Sequence, residues 1–459
     1  MSSYVNVLFE SQKKFFATGA TLPVKFRKNQ LFKLAKSLTL WEERIADAIW
    51  QDLHKSYEEA YLTELSIVMA EVKTACSKVS GWARREMKAP SMAVLPSMSY
   101  VVKEPLGTAL IVSPWNYPVQ LLLCPLIGAI AAGCTAVLKP SPYVPHVSQT
   151  IADMIKETFA EEYIAVVQGN RDVNKQLFDL PFDLIFYTGS PAVAHTVMEA
   201  AAKHLTPVVL ELGGKSPCIV DKDADVDVAA KRVVWGKTLN SGQTCIAPDY
   251  IIIHQDIKER FVEAFQQQLK VLHGEDVQQS KHYVRMVSDK AFRRVSSYLE
   301  QGTILCGGRT DPADRFIEPT LLDNVSLDAP VMNEEIFGPI FPIVTFGDGP
   351  ATFQDQVADF VNARPKPLAF YYFGKKKTGW ELVRRTSSGG ACINDCIMHI
   401  VNTHMPFGGV GNSGMGRYHR KDSFEAFTHR RSVLVTPKWL DVPFRYMPYK
   451  LFKFIRHLV

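Results

Sequence analysis

Three side chains far apart in the sequence are of types that together could attack, activate and stabilise a carbonyl group. Cys245 stands in Gly242-Gln243-Thr244-Cys245, just past a helical pattern that ends near Asn240-Ser241-Gly242, so its sulfur is expected on a turn. A thiolate attacks carbonyl carbon well once its surroundings have removed the proton. Most free cysteines are simply small buried hydrophobes, and taken alone Cys245, even on a turn, reads as one of them. Glu211 closes the apolar run 208–212 and is followed by Gly213-Gly214, a pair that lets a backbone or ligand come close. A lone glutamate there is more often an ion-pair partner, and the two-glycine turn shifts that balance. Asn116 lies in Pro114-Trp115-Asn116-Tyr117-Pro118, held between two prolines after an apolar run. Its amide has two readings, a donor to an oxyanion or a cap for the next helix.

The elements that must carry these groups follow from periodicity. Between residues 25 and 85, Phe26, Leu31, Leu34, Leu38, Trp41, Ile45 and Ile49 recur near helical spacing, which predicts a long amphipathic helical region. Residues 88–105 hold Ala89-Pro90 and Leu95-Pro96 before the extended Ser99-Tyr100-Val101-Val102, which predicts an arm that leaves the local core. From 107 to 220, short apolar strands at 108–112, 135–139, 163–167, 184–187 and 208–212 alternate with helices. That alternation predicts right-handed βαβ units and a parallel sheet covered on both faces. Ligands of such sheets bind beyond the carboxyl ends of the strands, where 113–118, 139–141 and 188–190 fall. Helical patterns at 226–239, 257–272 and 289–301 predict a second α/β region. The uncharged stretch 119–138 is long enough to span a bilayer, but Pro125, Gly128 and Gly133 divide it into a helix and a β-branched run. A buried helix leading into a buried strand accounts for that division better.

Composition limits the function classes. The chain has 459 residues, 47% of them hydrophobic and 22% charged, enough for two or three folded regions. Its 52 basic and 47 acidic residues are spread along the whole length, so a nucleic-acid surface is not expected. Eight cysteines without CxxC pairing fit a reducing, cytoplasmic setting, and residues 1–14 lack the apolar core of a signal peptide. His399 and His404 are the nearest candidate metal pair, but no third ligand is close in sequence, and no metal is expected.

Taken in order along nearly the whole chain, these segments resemble the aldehyde dehydrogenase superfamily, in particular its class 3 and fatty aldehyde dehydrogenase branch. The resemblance is carried by Pro114 to Pro118, Lys139-Pro140-Ser141, Tyr187-Thr188-Gly189-Ser190, Glu211 to Pro217, Gly242 to Cys245, Glu334-Glu335-Ile336-Phe337-Gly338-Pro339, Asn394-Asp395 and Pro406 to Gly414. It implies an α/β fold with a Rossmann-like cofactor domain (1–86 and 106–210), a second α/β catalytic domain (211–412), and a small β oligomerisation arm with a C-terminal tail (87–105 and 413–459). It implies NAD(P)-dependent oxidation of medium- to long-chain aliphatic or aromatic aldehydes to carboxylates. In that scheme Cys245 is the nucleophile, Asn116 and the Cys245 N–H hold the oxyanion, and Glu211 activates the water that hydrolyses the thioester. Trp115, Lys139, Ser141, Gly189, Ser190, Leu212, Glu335 and Phe337 are implied cofactor contacts. Tyr117 and Trp235 are candidate substrate walls, each equally readable as a core aromatic.

Two departures from the family pattern bear on the cofactor. Pro142 stands where relatives often carry a glutamate that holds the ribose hydroxyls and repels a 2′-phosphate, so use of NADP as well as NAD is expected. Ala194 replaces a frequent glycine, and its methyl could crowd the cofactor-binding helix against its strand. A rival enzyme reading passes the thioester to coenzyme A; Glu211 argues against it, because hydrolysis is the route that needs a base. The resemblance also implies a homodimer. The basic and aromatic tail, with Phe444, Tyr446, Tyr449, Phe452 and Phe454 among Arg445, Lys450, Lys453 and Arg456, suits packing across that dimer or, more weakly, contact with anionic lipid.

Overall fold

The computed structural model describes residues 4–402, 404–441, 445–449, 452 and 456. The first sheet takes the spatial order 414–415, 208–211, 184–188, 108–112, 135–139, 164–166. All its pairings are parallel except that of Gly414 and Met415, which run antiparallel to Leu210 and Glu211. Read in chain order, the five parallel strands lie 5-4-1-2-3. The winding therefore reverses between 108–112 and 184–188, and a crevice opens there beyond their carboxyl ends. The sequence reading placed residues from 413 onward with the arm and tail, yet Gly414 and Met415 extend this first sheet.

Each predicted strand is present within a residue or two. The uncharged stretch becomes a helix at Gln120–Ala132, buried along its whole length, and then the buried strand Thr135–Lys139. No helix among the described residues is long and apolar enough to cross a membrane. The amphipathic region is the 30-residue helix Val24–Leu53, whose Leu31, Leu34, Leu38, Trp41, Ile45 and Ile49 are buried in the main core. A short helix, a π-turn at Tyr61–Leu65 and the helix Ser66–Trp82 follow it. The N-terminal helix Tyr4–Ala17 was not predicted; Val5, Leu8 and Phe9 bury its inner face against the first sheet.

The second sheet has the order 303–306, 320–323, 340–346, 250–254, 217–220, 369–373, 390–393. Its strands are parallel apart from the 303–306 edge. A third sheet joins 86–88, 98–105 and 428–435, with 98–105 and 428–435 paired antiparallel over eight residues each. These last strands are the predicted arm. Strand 428–435 lies at its edge, with Leu434 and Val435 exposed.

Candidate active site

The cleft lies between the two large sheets, and each contributes a different end. From the first sheet come segments at or just past strand ends: Pro114, Trp115 and Asn116; Thr188, Gly189 and Ser190; Glu211 and Leu212. From the second come segments just before strands begin: Gly213 to Lys215, Cys245, Met332 to Glu335, Phe337, and Arg364 to Lys366. Together they enclose a cavity of about 690 Å³, a size typical of small-molecule sites.

Cys245 sits on a turn, as its sequence setting predicted, and it is partly accessible while most of the other cysteines are buried. The turn is held by unusual backbone. Asn240 and Ser241 adopt left-handed φ of 52° and 50° in succession. Gly242 follows at φ 72°, where a β-carbon would lie 2.4 Å from the Gly338 carbonyl oxygen. Such strain persists only where surrounding structure enforces it. Gln243 does much of the enforcing: its Oε1 accepts from Val287 N at 3.0 Å, and its Nε2 donates to the carbonyls of Asn240 and Arg285 at 3.1 Å.

Asn116 is buried, and its Nδ2 donates to the Gln243 carbonyl at 3.0 Å. One amide hydrogen is thereby spent two residues before the nucleophile, and the second is left for a ligand. Glu211 is buried with neither carboxyl oxygen hydrogen-bonded, and burial holds its pKa well above the usual carboxylate range. An unpartnered carboxyl in such a place is costly to fold and points to chemistry. Burial, then the carboxylates of Glu335 and Glu211, push the Cys245 thiol up to about 12. The sulfur is therefore held protonated at neutral pH and requires a base to become a nucleophile.

The cofactor side has matching features. The Gly189 N–H donates to the Glu211 carbonyl at 3.0 Å, which ties the glycine turn to the strand carrying the carboxylate. Ser190 caps the helix Pro191–Ala202 without a side-chain hydrogen bond, and Ser190, Pro191 and Ala192 line the cleft, so the start of this helix, where phosphate groups bind well, borders it. Thr188 adds a buried hydroxyl without a partner. Glu335 is pushed up to about 8 by burial and then by Asp249, and its carboxyl oxygens pack so close to Gly213 that a β-carbon there would lie 2.1 Å away. Phe337 holds φ at 48°, and its ring meets that of Trp115 edge-on at 5.4 Å. These groups suit a dinucleotide: a helix start for its pyrophosphate, a carboxylate for a ribose, and aromatic walls.

The predicted residues divide as follows. Cys245, Glu211, Asn116, Trp115, Gly189, Ser190, Leu212, Glu335 and Phe337 share the cleft. Lys139 and Ser141 do not line it. Lys139 ends the strand beside 108–112 and is buried, its Nζ turned back to the Pro140 carbonyl at 2.9 Å, and desolvation lowers its pKa to about 8. Tyr117 is buried beside the nucleophile's turn, with its hydroxyl 2.7 Å from Thr244 Oγ1, and is not in the cavity wall. Trp235 packs on the core from the helix Val226–Thr238 and is likewise outside that wall. Ala194 is buried, in the same apolar cluster as Tyr187 and Val197. The pair His399 and His404 gathers no third ligand, and His399 Nδ1 instead lies 3.3 Å from Cys392 Sγ. Among the described residues no group of three metal-ligating side chains forms.

Sequence reasoning missed Arg294, which donates to the carbonyls of Glu335 (3.2 Å) and Ile336 (2.7 Å) and so secures the segment bearing Glu335. It also assigned no role to Leu121, Lys366 or Asn412, which line the cleft. Only Asn412 carried a signal, its place in the glycine-rich run 408–414.

A doubly wound sheet, a turn-borne thiol, a side-chain amide and an unpaired buried carboxyl around one cleft define the class of thiol-dependent, nucleotide-linked oxidoreductases. The model of the aldehyde dehydrogenase family matches residues 2–433, and the chain belongs to that family. It is 44% identical over 98% of its length to 4,4'-diaponeurosporen-aldehyde dehydrogenase of Staphylococcus aureus, spanning 97% of that relative. It is 43% identical to the dimeric NADP-preferring aldehyde dehydrogenase of Rattus norvegicus, over 92% of both chains. Among solved structures, the substrate-bound state of Staphylococcus aureus AldH superposes with a TM-score of 0.97 at 42% identity, over the full length of both chains. The protein is an NAD(P)-dependent aldehyde dehydrogenase that oxidises aldehydes to carboxylic acids, with NAD or NADP as cofactor.

Proposed function

We propose that oxidation proceeds through a covalent intermediate on Cys245, with Asn116 and Glu211 in the roles that the sequence resemblance implies. The observation that carries this reading is the joint presence of these three groups in one cleft, with both Glu211 oxygens unpartnered. Glu211, as carboxylate, takes the thiol proton, directly or through a water. The sulfur then bonds to the aldehyde carbon, and the carbonyl electrons move onto oxygen. Asn116 Nδ2 and the Cys245 N–H donate to that oxyanion as its charge develops, when such donors count most. Bound NAD(P)+ supplies the hydride acceptor, held by the Gly189–Ser190 helix start and Glu335. Collapse of the oxyanion leaves a thioester on Cys245. Once it has passed the thiol proton on to solvent, Glu211 is a carboxylate again and removes a proton from water, the hydroxide adds to the thioester carbon, the C–S bond breaks, and the sulfur takes that proton back from Glu211 as the acid departs.

Lys139 and Ser141 are retained as contacts of the adenosine ribose, which requires Lys139 Nζ to leave the Pro140 carbonyl. With Pro142 beside them in place of an acid, the preference for NAD is weakened and NADP is at least tolerated. The substrates are medium- to long-chain aliphatic or aromatic aldehydes, and Tyr117 and Trp235 act from behind the wall rather than as its surface. Reduced-nicotinamide absorbance over a panel of aldehydes, with each cofactor, tests all of this. Cys245→Ala abolishes turnover. A kcat/KM preference for NAD above about a hundredfold, near 2.7 kcal/mol of discrimination, would overturn the cofactor reading.

The domain limits of the resemblance are proposed with one adjustment, that Gly414 and Met415 go with the first sheet. A homodimer through the arm is supported by its open edge strand and by exposed Met98, Leu434, Val435 and Trp439. A cytoplasmic location is supported by cysteines that are all unpaired. Lipid contact by the tail rests on composition alone, and Phe444, Lys450, Lys453 and Phe454 lie outside the described residues. Truncation at Pro443 followed by liposome sedimentation decides it; unchanged binding removes the lipid role.

A further inference from the structure

We infer that the buried ion pair Lys55–Glu64 is a positioning device for Asn116, an inference that rests on the oxyanion role proposed above. Lys55 Nζ lies 2.9 Å from Glu64 Oε1, and both side chains have 0% exposure. The pair grips the 114–120 loop on both sides of Pro118. Before it, Lys55 Nζ donates to the Asn116 carbonyl at 3.2 Å and lies 4.2 Å from the centre of the Tyr117 ring. After it, Glu64 Oε2 accepts from Val119 N at 2.8 Å and Gln120 N at 3.3 Å, at the start of the helix Gln120–Ala132.

The Asn116 carbonyl has a second donor, Asn240 Nδ2 at 3.0 Å, which also reaches the Gln243 carbonyl at 3.0 Å. Asn240 is itself held from the N-terminal helical layer, its N–H donating to Glu59 Oε1 at 2.8 Å. Backbone at 116 is thus pinned from one side by Lys55 and from the other by the turn that carries the nucleophile. With the backbone fixed, the hydrogen bond from Nδ2 to Gln243 sets the plane of the amide, and with it the direction of the free hydrogen. Glu64 belongs to the π-turn Tyr61–Leu65, a local widening that recurs near functional sites. None of this helical layer touches the reacting atoms. It acts through Asn116.

A buried ion pair by itself is weak evidence of anything but a folding constraint, since uncharged replacements often fold as well. That fact supplies the test. Lys55→Met combined with Glu64→Gln removes both charges while keeping volume and an acceptor for the two amides. Glu64→Gln alone is the second arm, in case the double variant folds poorly. The expected result is a folded protein whose kcat is lowered about 10- to 100-fold, as small misplacements of catalytic groups do, with KM for NAD(P)+ changed less than about twofold. In an Asn116→Ala background the same changes add almost nothing, because the group they position is gone. Wild-type kcat in both charge-removal variants overturns the inference, and so does a loss that multiplies with that of Asn116→Ala. If Asn116→Ala or Cys245→Ala keeps full turnover, it is the catalytic reading beneath that fails instead.

Discussion

The two oxygens of Glu211 stand in a buried site with nothing to accept from, and burial raises the pKa without any neighbouring acid being needed to explain it. Such a carboxyl is a poor ion-pair partner and holds a proton more strongly than an exposed one. If its main duty is the water that cleaves the thioester, Glu211→Gln separates the two halves of the reaction. Rapid mixing with aldehyde and NAD(P)+ is expected to give a burst of about one reduced nicotinamide per active site, slower than in the wild type because the thiol proton must then leave to water alone, followed by steady turnover slowed by roughly 10²- to 10⁴-fold, the usual worth of a general base. No burst and no turnover would mean that Glu211 is needed already for the thiol. An undiminished steady rate would assign the base elsewhere. Cys245 itself, held up to about 12, shows why some base is required: without one, the thiolate fraction at pH 7 is negligible.

At the scale of elements, the cleft joins the carboxyl ends of one parallel sheet to the amino ends of another. The helix Gln120–Ala132 supports the first of these, and its Gly128 lies against Ser423 of the helix Lys421–Ala426, where an added β-carbon would be 2.7 Å from Ser423 Cβ. Gly128→Ala is expected to cost about 1–3 kcal/mol by overpacking, seen as a lowered denaturation midpoint with an unchanged slope, and to spare KM for cofactor. A neutral result would mean that the two helices part easily. The same geometry explains what was legible in the residues. Asn116, Gly189, Ser190 and Glu211 follow alternating strands, and the rule that ligands gather past strand ends finds them. Cys245 and Glu335 precede strands, where no such rule applies; the turn made Cys245 a candidate, and only the resemblance found a role for Glu335. Lys55 and Glu64 were invisible because charges on an amphipathic helix read as a solvated face; their burial depends on a loop more than fifty residues away. Arg294 escaped for a similar reason, since its partners are backbone carbonyls that carry no side-chain signature. Tyr117 and Trp235 are wall candidates through the resemblance, and of their two readings the core aromatic fits their places outside the cavity lining.

The whole molecule carries an unusual load of buried ionisable groups, and their signs predict how its stability depends on pH. Burial raises Glu335 to about 8, Glu59 and Glu71 to about 7, and Glu211 well above its ordinary value. Between the unfolded value near 4.5 and these folded values, the native protein keeps protons that the unfolded chain has lost, so stability falls as pH rises. Burial lowers His273, His399 and His419 to about 4, which has the opposite effect: stability rises with pH from about 4 to 6.5 and is then complete. Lys139 and Lys237, lowered to about 8, add to stability only above that pH. The window from 6.5 to 8 is therefore governed by the carboxyls, and stability is expected to decline across it by about 1–3 kcal/mol at constant ionic strength. Scanning calorimetry of the cofactor-free protein at both pH values, at one scan rate, should show Tm lower at the higher pH. Glu335→Gln, which has no proton to lose, should flatten that decline. If the variant keeps the full wild-type slope, Glu335 is ionised in the native protein across this range. Its place against Gly213 would then have to be stabilised by charge, and its part in cofactor binding would not change between pH 6.5 and 8.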